Sequence, residues 1–518
     1  NIGRFWMINK NKAILDLFEK ELQLSKKEIE DKTNIKGSTL NNILKSLVES
    51  NQLNRLGKAR ATYYQRVYNQ KYSYKNITVL NEGIIVGELK FGDGKYIFSY
   101  DKNYKGNELI GIPKDTSPIS NDELFFIFEN LIPESHRREK HLNLENFDDL
   151  ADTLTSLLNT HGSYEFVYTY ELFKYQKARD KRPSYITIKN KLLENYSYPN
   201  ILDYQLDIDD MILEDKSDID YSSLSGYQNK IDINLNQDKK SIHIDIKNPH
   251  YLLKPFNKNI GEYFGDKKSY YPQVLVNEHL FMSFAKNELN FDVPYNALVY
   301  HNNNFHYIIK RFDRYKEFAY EQYDFGQLLN IPSRNKYNAS SDEVFIKANE
   351  MLKNKNSKIE LLRFYFYSYI IQHSDLHVKN IALLNIGKQT FTLSPLYDVI
   401  SLGVIKGKDI DDLALPIQRV HKTQKSKFTI EDFLYLADIL ELNHLEVKKE
   451  FRNIALKFIE KFPSYIEDTK KLLDYDSLSI SKTRQKKTNL ISKLKSFYDE
   501  RIIALKKANI FKDLEIPK

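Results

Sequence analysis

The sequence predicts an α+β chain of several domains. A winged helix-turn-helix stands at the N-terminus, strand-rich regions fill the middle, and the C-terminal part is mostly helical. Three observations predict this. The chain has 518 residues, enough for about two to four domains of ordinary size. Its apolar spacing is helical near the N-terminus, alternates from Ile77 to Tyr100, and turns helical again in PQVLVNEHLFMSFAKNEL (Pro272–Leu289) and LLRFYFYSYII (Leu361–Ile371). Hydrophobic residues make up 41% and charged residues 28%, the balance of a chain able to bury large cores.

Composition removes whole classes of chemistry. There is no cysteine, which excludes disulfides, cysteine-ligated zinc, iron–sulfur clusters and thiol nucleophiles. The longest apolar stretch, Leu361–Ile371, is too short to span a bilayer and contains Arg363. The first residues, NIGRFWMINK, hold no apolar leader, so a cytoplasmic protein without a membrane partner is expected; Met7 reads as the native start, with residues 1–6 ahead of it. The net charge of +7 is unevenly spread. Residues 1–70 hold 13 Lys/Arg against 7 Asp/Glu, and residues 481–518 hold 11 against 4. Two basic ends therefore flank an acidic middle, whose densest acidic run is Asp203–Asp220.

The N-terminal elements follow from local signals. Ile14, Leu17, Phe18 and Leu22 share one helical stripe. Ser25 and Glu28 form a capping box that starts a second helix, which runs to Thr33 before a turn at Asn34 and Gly37. Ser38 is expected to cap a third helix whose Leu40, Ile43, Leu44 and Leu47 face inward. Two short strands around Gly57 complete residues 1–70 as a winged helix-turn-helix. Such a module turns Thr39, Asn41, Asn42 and Lys45 outward from a recognition helix, and Arg55, Lys58 and Arg60 outward from the wing. Its excess of basic residues points to double-stranded DNA as a partner. A small helical protein-interaction domain is the alternative.

From Ile77 to Tyr100, alternation and the Gly92–Gly94 turn predict a β-meander. Helical stretches follow at ELFFIFENLIPESHRREK and FDDLADTLTSLLNTHG. Residues 166–220 have weak periodicity and are expected to form a connector with little chemistry.

Four signals in fixed order then carry the chemistry. Ile231, Ile233 and Leu235 alternate, as do Ile242, Ile244 and Ile246, so a hairpin is expected with Gly226 in the loop leading into it. One Gly beside Ser and Lys can bring backbone N–H groups to a phosphate, although most such loops are plain turns. YLLKP (Tyr251–Pro255) is a short strand ending in Lys254, placed either to snorkel or to neutralise phosphates. Glu278 shares the packed stripe of its helix with Val274, Phe281 and Ala285. A buried carboxylate needs a partner, and Lys254 is the candidate. The last signal is HSDLHVKNIALL (His373–Leu384), followed by LSPLYDVIS (Leu393–Ser401). A phosphoryl-transfer site needs a carboxylate to orient the attacking hydroxyl, an Asn and an Asp to hold Mg2+ on the phosphates, and a lysine for developing charge. Asp375, Asn380, Asp398 and Lys379 supply those types. His373 and His377 with Asp375 offer a metal-hydrolase reading, which no HExxH or second histidine pair supports.

With these motifs in place, the chain resembles the HipA-like serine/threonine kinases of bacterial toxin–antitoxin systems. Seven segments carry the likeness in order: FENLIPES (Phe128–Ser135), SLSGYQNK (Ser223–Lys230), YLLKP, VNEHLFMSFA (Val276–Ala285), IIKRFDRY (Ile308–Tyr315), HSDLHVKN (His373–Asn380) and SPLYD (Ser394–Asp398). The resemblance implies a bilobal protein-kinase-like fold. A β-rich subdomain would span 71–165, a kinase N-lobe with the phosphate loop 221–310, and a helical C-lobe with the catalytic loop 311–518. It implies ATP and Mg2+ as cofactors, Asp375 as catalytic base, and Asn380 and Asp398 as magnesium ligands. Lys254 would contact the ATP phosphates, with Glu278 as its partner and the Gly226 loop nearby. Lys310 and Phe312 would meet adenine through backbone groups, and Asp313 would lie near the ribose. Ser223 and Ser225 match the family's autophosphorylation site, which ejects the phosphate loop and silences the kinase. A protein substrate is implied, an aminoacyl-tRNA synthetase in relatives, together with an antitoxin protein.

The chain departs from that family twice. Where the family has Gln-Glu-Asp, this sequence has Gln322, Tyr323 and Asp324. The family commonly contacts DNA through a separate antitoxin, whereas here a helix-turn-helix is expected within the same chain. That difference supports a second reading: a DNA-binding transcriptional regulator that keeps the kinase fold as a nucleotide-sensing or dimerisation scaffold.

Overall fold

A computed structural model of the protein describes residues 13–15, 17–18, 23–49, 52–56, 62–66, 76–92, 94–132, 147–157, 159–174, 183–193, 201–214, 229–257, 273–387, 389–407, 409–419, 423, 425–474 and 482–516. Gly226, Ser223, Ser225, Lys58 and Arg60 lie outside the described residues.

The N-terminal segment has its own core. Strand β1 (Leu24–Ser25) leads into helix α1 (Lys26–Thr33) through the expected capping box: the Glu28 N–H donates to Ser25 Oγ at 3.3 Å, and the Ser25 N–H to Glu28 Oε2 at 2.7 Å. Helix α2 (Gly37–Glu49) starts one residue before the expected Ser38 cap, because the Gly37 N–H finds the Glu30 carboxylate at 3.4 Å. Leu40, Ile43, Leu44 and Leu47 are buried with Ile14, Phe18 and Ile29, as the helical stripe requires. Strands β2 (Leu53–Leu56) and β3 (Tyr63–Arg66) form a hairpin, and β1 adds a third strand in the order β1-β3-β2.

The alternating stretch after Asn76 builds a five-stranded sheet. Its strands are β4 (Ile77–Asn81), β5 (Ile84–Gly92), β6 (Lys95–Tyr100), β7 (Ile119–Asn121) and β8 (Tyr164–Tyr168), in the order β7-β6-β5-β4-β8. Of the expected helix at ELFFIFENLIPESHRREK, a single turn at Phe126–Glu129 falls within the described residues.

A second sheet carries YLLKP and the start of IIKRFDRY. It comprises β9 (Gln205–Asp207), β10 (Ile231–Asn236), β11 (Ser241–Ile244), β12 (Tyr251–Lys254), β13 (Asn296–His301) and β14 (Asn304–Lys310), in the order β13-β14-β12-β10-β11-β9. Both faces are covered. Ile308 of β14 joins Ile231, Ile233 and Leu253 on one face, while its neighbours Tyr307 and Ile309 join the large core on the other. Helix α3 (Gln273–Asn287) belongs to that large core, through Leu280, Phe281 and Phe284. The 166–220 stretch does more than connect. It supplies β9, paired parallel to β11, and a helix at Tyr185–Leu193 whose Tyr185, Ile188 and Leu192 pack on Phe312, Tyr320 and Leu384. Ile246, expected in the hairpin, falls after β11 and is exposed.

The C-terminal part is helical: α4 (Ser341–Met351), α5 (Lys355–Ile370), α6 (Ile430–Ile439), α7 (His444–Asp474) and α8 (Lys482–Lys507). Apolar side chains on every face of α5 mark it as a central helix, and Phe366 stacks on Phe451 of α7 with centroids 4.2 Å apart. Two-residue strands β15 (Arg314–Tyr315) and β16 (Phe318–Ala319) pair ahead of a small sheet. That sheet, of β17 (Gln322–Asp324), β18 (Ala382–Asn385) and β19 (Phe391–Leu393), precedes the segment that carries Asp398. The basic C-terminal segment has a structural use. Arg501 of α8 is buried, donates to the Ile370 carbonyl at 3.0 Å and to Asp412 at 2.7 Å, and lies over the Tyr369 ring. It thereby closes the C-terminal end of α5, immediately before the HSDLHVKN loop.

Candidate active site

Lys254 ends β12 on the face of the sheet that meets α3. Its ammonium donates to both oxygens of Glu278, at 2.7 and 2.8 Å, and also to Asp398 Oδ1. Lys230, just before β10, reaches the other Asp398 oxygen at 3.6 Å. The expected partnership of Lys254 with Glu278 is present, and Asp398 shares the same lysine. Burial alone would lower the Lys254 ammonium, but Asp398 and Glu278 outweigh it and hold it above its ordinary value. Glu278 responds differently. Burial, aided by the Asp398 charge, pushes its carboxyl up to about 7 against the pull of Lys254. For Asp398 burial would raise the carboxyl, yet Lys230 and Lys254 together keep it well below the usual carboxylate range. Glu278 is sealed, whereas the Asp398 side chain keeps 27% of its surface open. Asp398 also sits in the left-handed region at φ +53°, which few residues other than glycine adopt. Asn277, beside Glu278, anchors the chain just beyond Asp398: its side chain takes the Ser401 N–H at 2.8 Å and donates to the Ser401 carbonyl at 3.0 Å.

The HSDLHVKN loop leaves α5 and turns through a short helical turn at Val378–Asn380. Asp375 is half-buried, and Asn380 Nδ2 donates to the Asp375 carbonyl at 2.9 Å. That bond uses the nitrogen of the carboxamide and leaves its oxygen as the end suited to a hard cation. The Tyr397 hydroxyl donates to the Lys379 carbonyl at 2.8 Å, tying the segment of Asp398 to this loop. Oxygen donors of Asn380 and Asp398 on two tied segments are of the kind that fits magnesium, with the Lys254 ammonium beside Asp398. Lys379 itself points elsewhere: its ammonium donates to the Asn130 carbonyl at 2.9 Å and to Ser333 Oγ at 2.8 Å. It locks the loop to the FENL segment, which differs from the expected role at developing charge. His373 is fully buried, and burial drives its imidazole down to about 3. Among the described residues, no three His, Asp or Glu side chains gather in a metal-holding group, so the metal-hydrolase reading has no such cluster to rest on.

The IIKRFDRY segment departs most from expectation. The Lys310 N–H donates to the Tyr295 carbonyl at 2.8 Å, and its ammonium lies over the Tyr251 ring at 5.4 Å, so that N–H is spent within the sheet rather than offered to adenine. Phe312 is buried against Tyr397, with centroids 5.9 Å apart. Asp313 is taken up by protein donors: Arg311 Nε at 3.0 Å and Nη2 at 2.9 Å, Arg314 Nη1 at 2.9 Å, and the Gly162 N–H at 3.0 Å. Both oxygens are satisfied inside the fold, a setting unlike the ribose contact expected of it. Gly162 has φ +76°, and a Cβ there would meet the Gln322 carbonyl at 2.9 Å. Arg311 also donates to the Asn159 and Thr160 carbonyls, each at 2.9 Å, and lies 3.6 Å from Asp232. The Asp313 cluster therefore pins residues 159–162, at the end of the first large sheet, to the strands of the second.

Tyr323, the departure from the family's Gln-Glu-Asp, is buried. Its hydroxyl meets that of Tyr164 at 2.9 Å and donates to Glu321. Sequence reasoning missed Tyr337, whose hydroxyl donates to Asp375 Oδ1 from 38 residues away. It also missed Lys230, although a lysine ending SLSGYQNK was a signal available to it. In the N-terminal segment Thr39, Asn41, Asn42, Lys45 and Arg55 are all exposed, and Lys45 lies 3.7 Å from Glu49.

The family-model matches span these motifs. Residues 77–166 match the HipA N-terminal domain, and residues 222–466 match the HipA-like C-terminal domain. The chain is similar to HipA domains over both segments. A Haemophilus influenzae protein named "Putative kinase" is 30% identical over 200 residues, covering 35% of this chain and 52% of that protein. A Sinorhizobium fredii protein, "Putative kinase Y4dM", is 29% identical over 171 residues, covering 32% of this chain and 39% of that protein. The chain thus spans about half the length, or less, of these curated relatives. Among solved structures, a chain of the Shewanella oneidensis MR-1 HipA, HipB and operator DNA toxin–antitoxin complex matches with a TM-score of 0.53 at 16% identity. That match covers 82% of this chain and 99% of the other, and it shows a shared HipA-like fold. Among the described residues, no helix is long and apolar enough to cross a membrane.

Proposed function

We propose that this protein is a Mg-ATP-dependent serine/threonine protein kinase of the HipA toxin type. The observation that carries the reading is the sharing of the Lys254 ammonium between sealed Glu278 and half-open Asp398, tied through Tyr397 to the loop of Asp375 and Asn380. Asn380 and Asp398 would hold magnesium, which when bound neutralises charge on the phosphate oxygens. Lys254 would bind those oxygens, and Lys230 is placed to help. Asp375 would orient the acceptor hydroxyl and take its proton. The substrate would be a protein of the translation machinery, such as an aminoacyl-tRNA synthetase. Phosphate on Ser223 or Ser225 would add a charge of about −1.5 to −2 beside the loop that receives ATP and expel it. The test is incubation of the purified protein with γ-labelled ATP. Label on Ser223 or Ser225, lost when both are replaced by Ala, is the expected result; undiminished label in the double variant would place the site elsewhere.

The separate core of residues 13–66, with a polar helix face turned outward, supports a second role in binding double-stranded DNA as a winged helix-turn-helix. That role would let the protein regulate its own promoter, alone or with an antitoxin. A regulator that uses the kinase fold only as a nucleotide-sensing scaffold would bind DNA and Mg-ATP yet transfer no phosphate. In a mobility-shift titration of the full chain, replacing Lys58 and Arg60 by Ala should flatten the salt dependence by about two phosphate contacts. Unchanged salt dependence would remove those residues from any DNA interface.

A further inference from the structure

We propose that Tyr337 occupies the acceptor position of Asp375, so that a substrate hydroxyl reaches this carboxylate only by displacing the tyrosine. The proposal rests on the reading of Asp375 as catalytic base and adds what guards it. The Tyr337 hydroxyl donates to Asp375 Oδ1, the bond that an incoming serine or threonine hydroxyl would have to make before transfer. The tyrosine is not a wandering surface residue. Its ring stands edge-on to His377, with centroids 5.0 Å apart. The segment that bears it is docked on the catalytic loop at two further points: the Val378 N–H donates to the Lys336 carbonyl at 3.3 Å, and Lys379 donates to Ser333 Oγ at 2.8 Å. Ser333 is held in turn by Glu129, which accepts its N–H at 2.9 Å.

The docked segment therefore presents a hydroxyl to the base from within the chain. A hydroxyl bonded to an ionised carboxylate is worth about 10-fold or more in occupancy, so a competing acceptor meets that handicap. Tyr337 is half-buried, and its neighbours Arg334 and Asn338 are exposed, so an acceptor can approach from solvent and lift the ring away. The phenol then acts as a selectivity element. An acceptor that binds the surrounding surface well displaces it, whereas a weakly held hydroxyl does not.

The test uses the full-length protein with Mg-ATP labelled at the γ-phosphate and dephosphorylated casein as the acceptor probe. Tyr337→Phe keeps the ring on His377 and removes only the hydroxyl. It should lower the KM for casein by about 10-fold and leave the KM for ATP unchanged. Tyr337→Leu, with the melting midpoint of each variant measured alongside, should move the casein KM in the same direction. A casein KM equal to or above that of the wild type, or a fall in kcat, overturns the proposal. Asp375→Ala separates the two layers. If it transfers no phosphate and Tyr337→Phe shows no gain, the tyrosine proposal alone fails. If Asp375→Ala transfers as the wild type does, Asp375 is not the base and both readings fall.

Discussion

Among the described residues, two buried ionic clusters have a similar make-up, and they differ in whether a carboxylate reaches solvent. Lys254, Glu278, Asp398 and Lys230 form the first; Arg311, Arg314, Asp313 and Asp232 form the second. Each pairs one carboxylate held low by two cations with another raised by burial. Asp398 and Asp313 are the low members, while Glu278 is pushed up to about 7 and Asp232 to about 6. The difference lies in where the carboxylate oxygens go. Asp313 spends both on arginines and a backbone N–H inside the fold, whereas Asp398 keeps 27% of its side chain exposed. A charge cluster whose low carboxylate is spent on protein donors joins parts of the fold; one whose low carboxylate keeps an open edge can take a ligand.

The largest effect should come from beside the open cluster. Asp375→Ala should lower phosphoryl transfer by about 10²–10⁴-fold, the usual contribution of a positioned acid or base, while leaving the thermal midpoint near that of the wild type. Labelled transfer assays and thermal unfolding read both quantities. A large drop in midpoint would make Asp375 a structural residue like Asp313. Next comes the sealed cluster. Arg311→Ala leaves Asp313 and Asp232 buried with less compensation and should cost about 3–5 kcal/mol in denaturant unfolding. Activity per folded molecule should hardly change, and a selective loss of activity in folded protein would break the distinction between the clusters.

The smallest effect should appear in the pH dependence of stability. A carboxyl whose folded value is raised binds its proton more tightly in the folded state, so stability falls as pH rises from the ordinary value to the folded one. For Glu278 that window runs from 4.5 to about 7, and for Asp232 from 3.8 to about 6. Glu278→Gln and Asp232→Asn should each remove the decline in its own window. Melting midpoints across pH 4 to 8 would show whether the two windows end at different points, as the higher value of the Glu278 carboxyl requires.

The two clusters also differ in how far the sequence discloses them. A carboxylate on the packed side of a helix demands a cation, and the lysine ending YLLKP was near enough in the chain to be named; Lys254 and Glu278 do pair. Asp375, Asn380 and Asp398 could be nominated because they are the residue types phosphoryl transfer needs, arriving in order with the other motifs. The setting of Asp313 was not, because its partner Gly162 lies 151 residues away and a local motif carries no information about such a donor. Tyr337 was hidden for the same reason, across 38 residues. The helix at Tyr185–Leu193 escaped notice because its apolar face is narrow: three buried positions, Tyr185, Ile188 and Leu192, give little periodic signal. The N-terminal helices, whose caps and stripes are local, were legible almost to the residue, apart from the Gly37 start of α2.

The most direct test is a calorimetric titration of Mg-ATP into the wild type, Asp398→Ala and Asp313→Asn, run below the melting point of each. If the half-open cluster receives the nucleotide, Asp398→Ala loses most of the affinity and Asp313→Asn binds as the wild type does. Equal affinity in Asp398→Ala, or a loss confined to Asp313→Asn, would contradict the account and move the nucleotide to the other cluster.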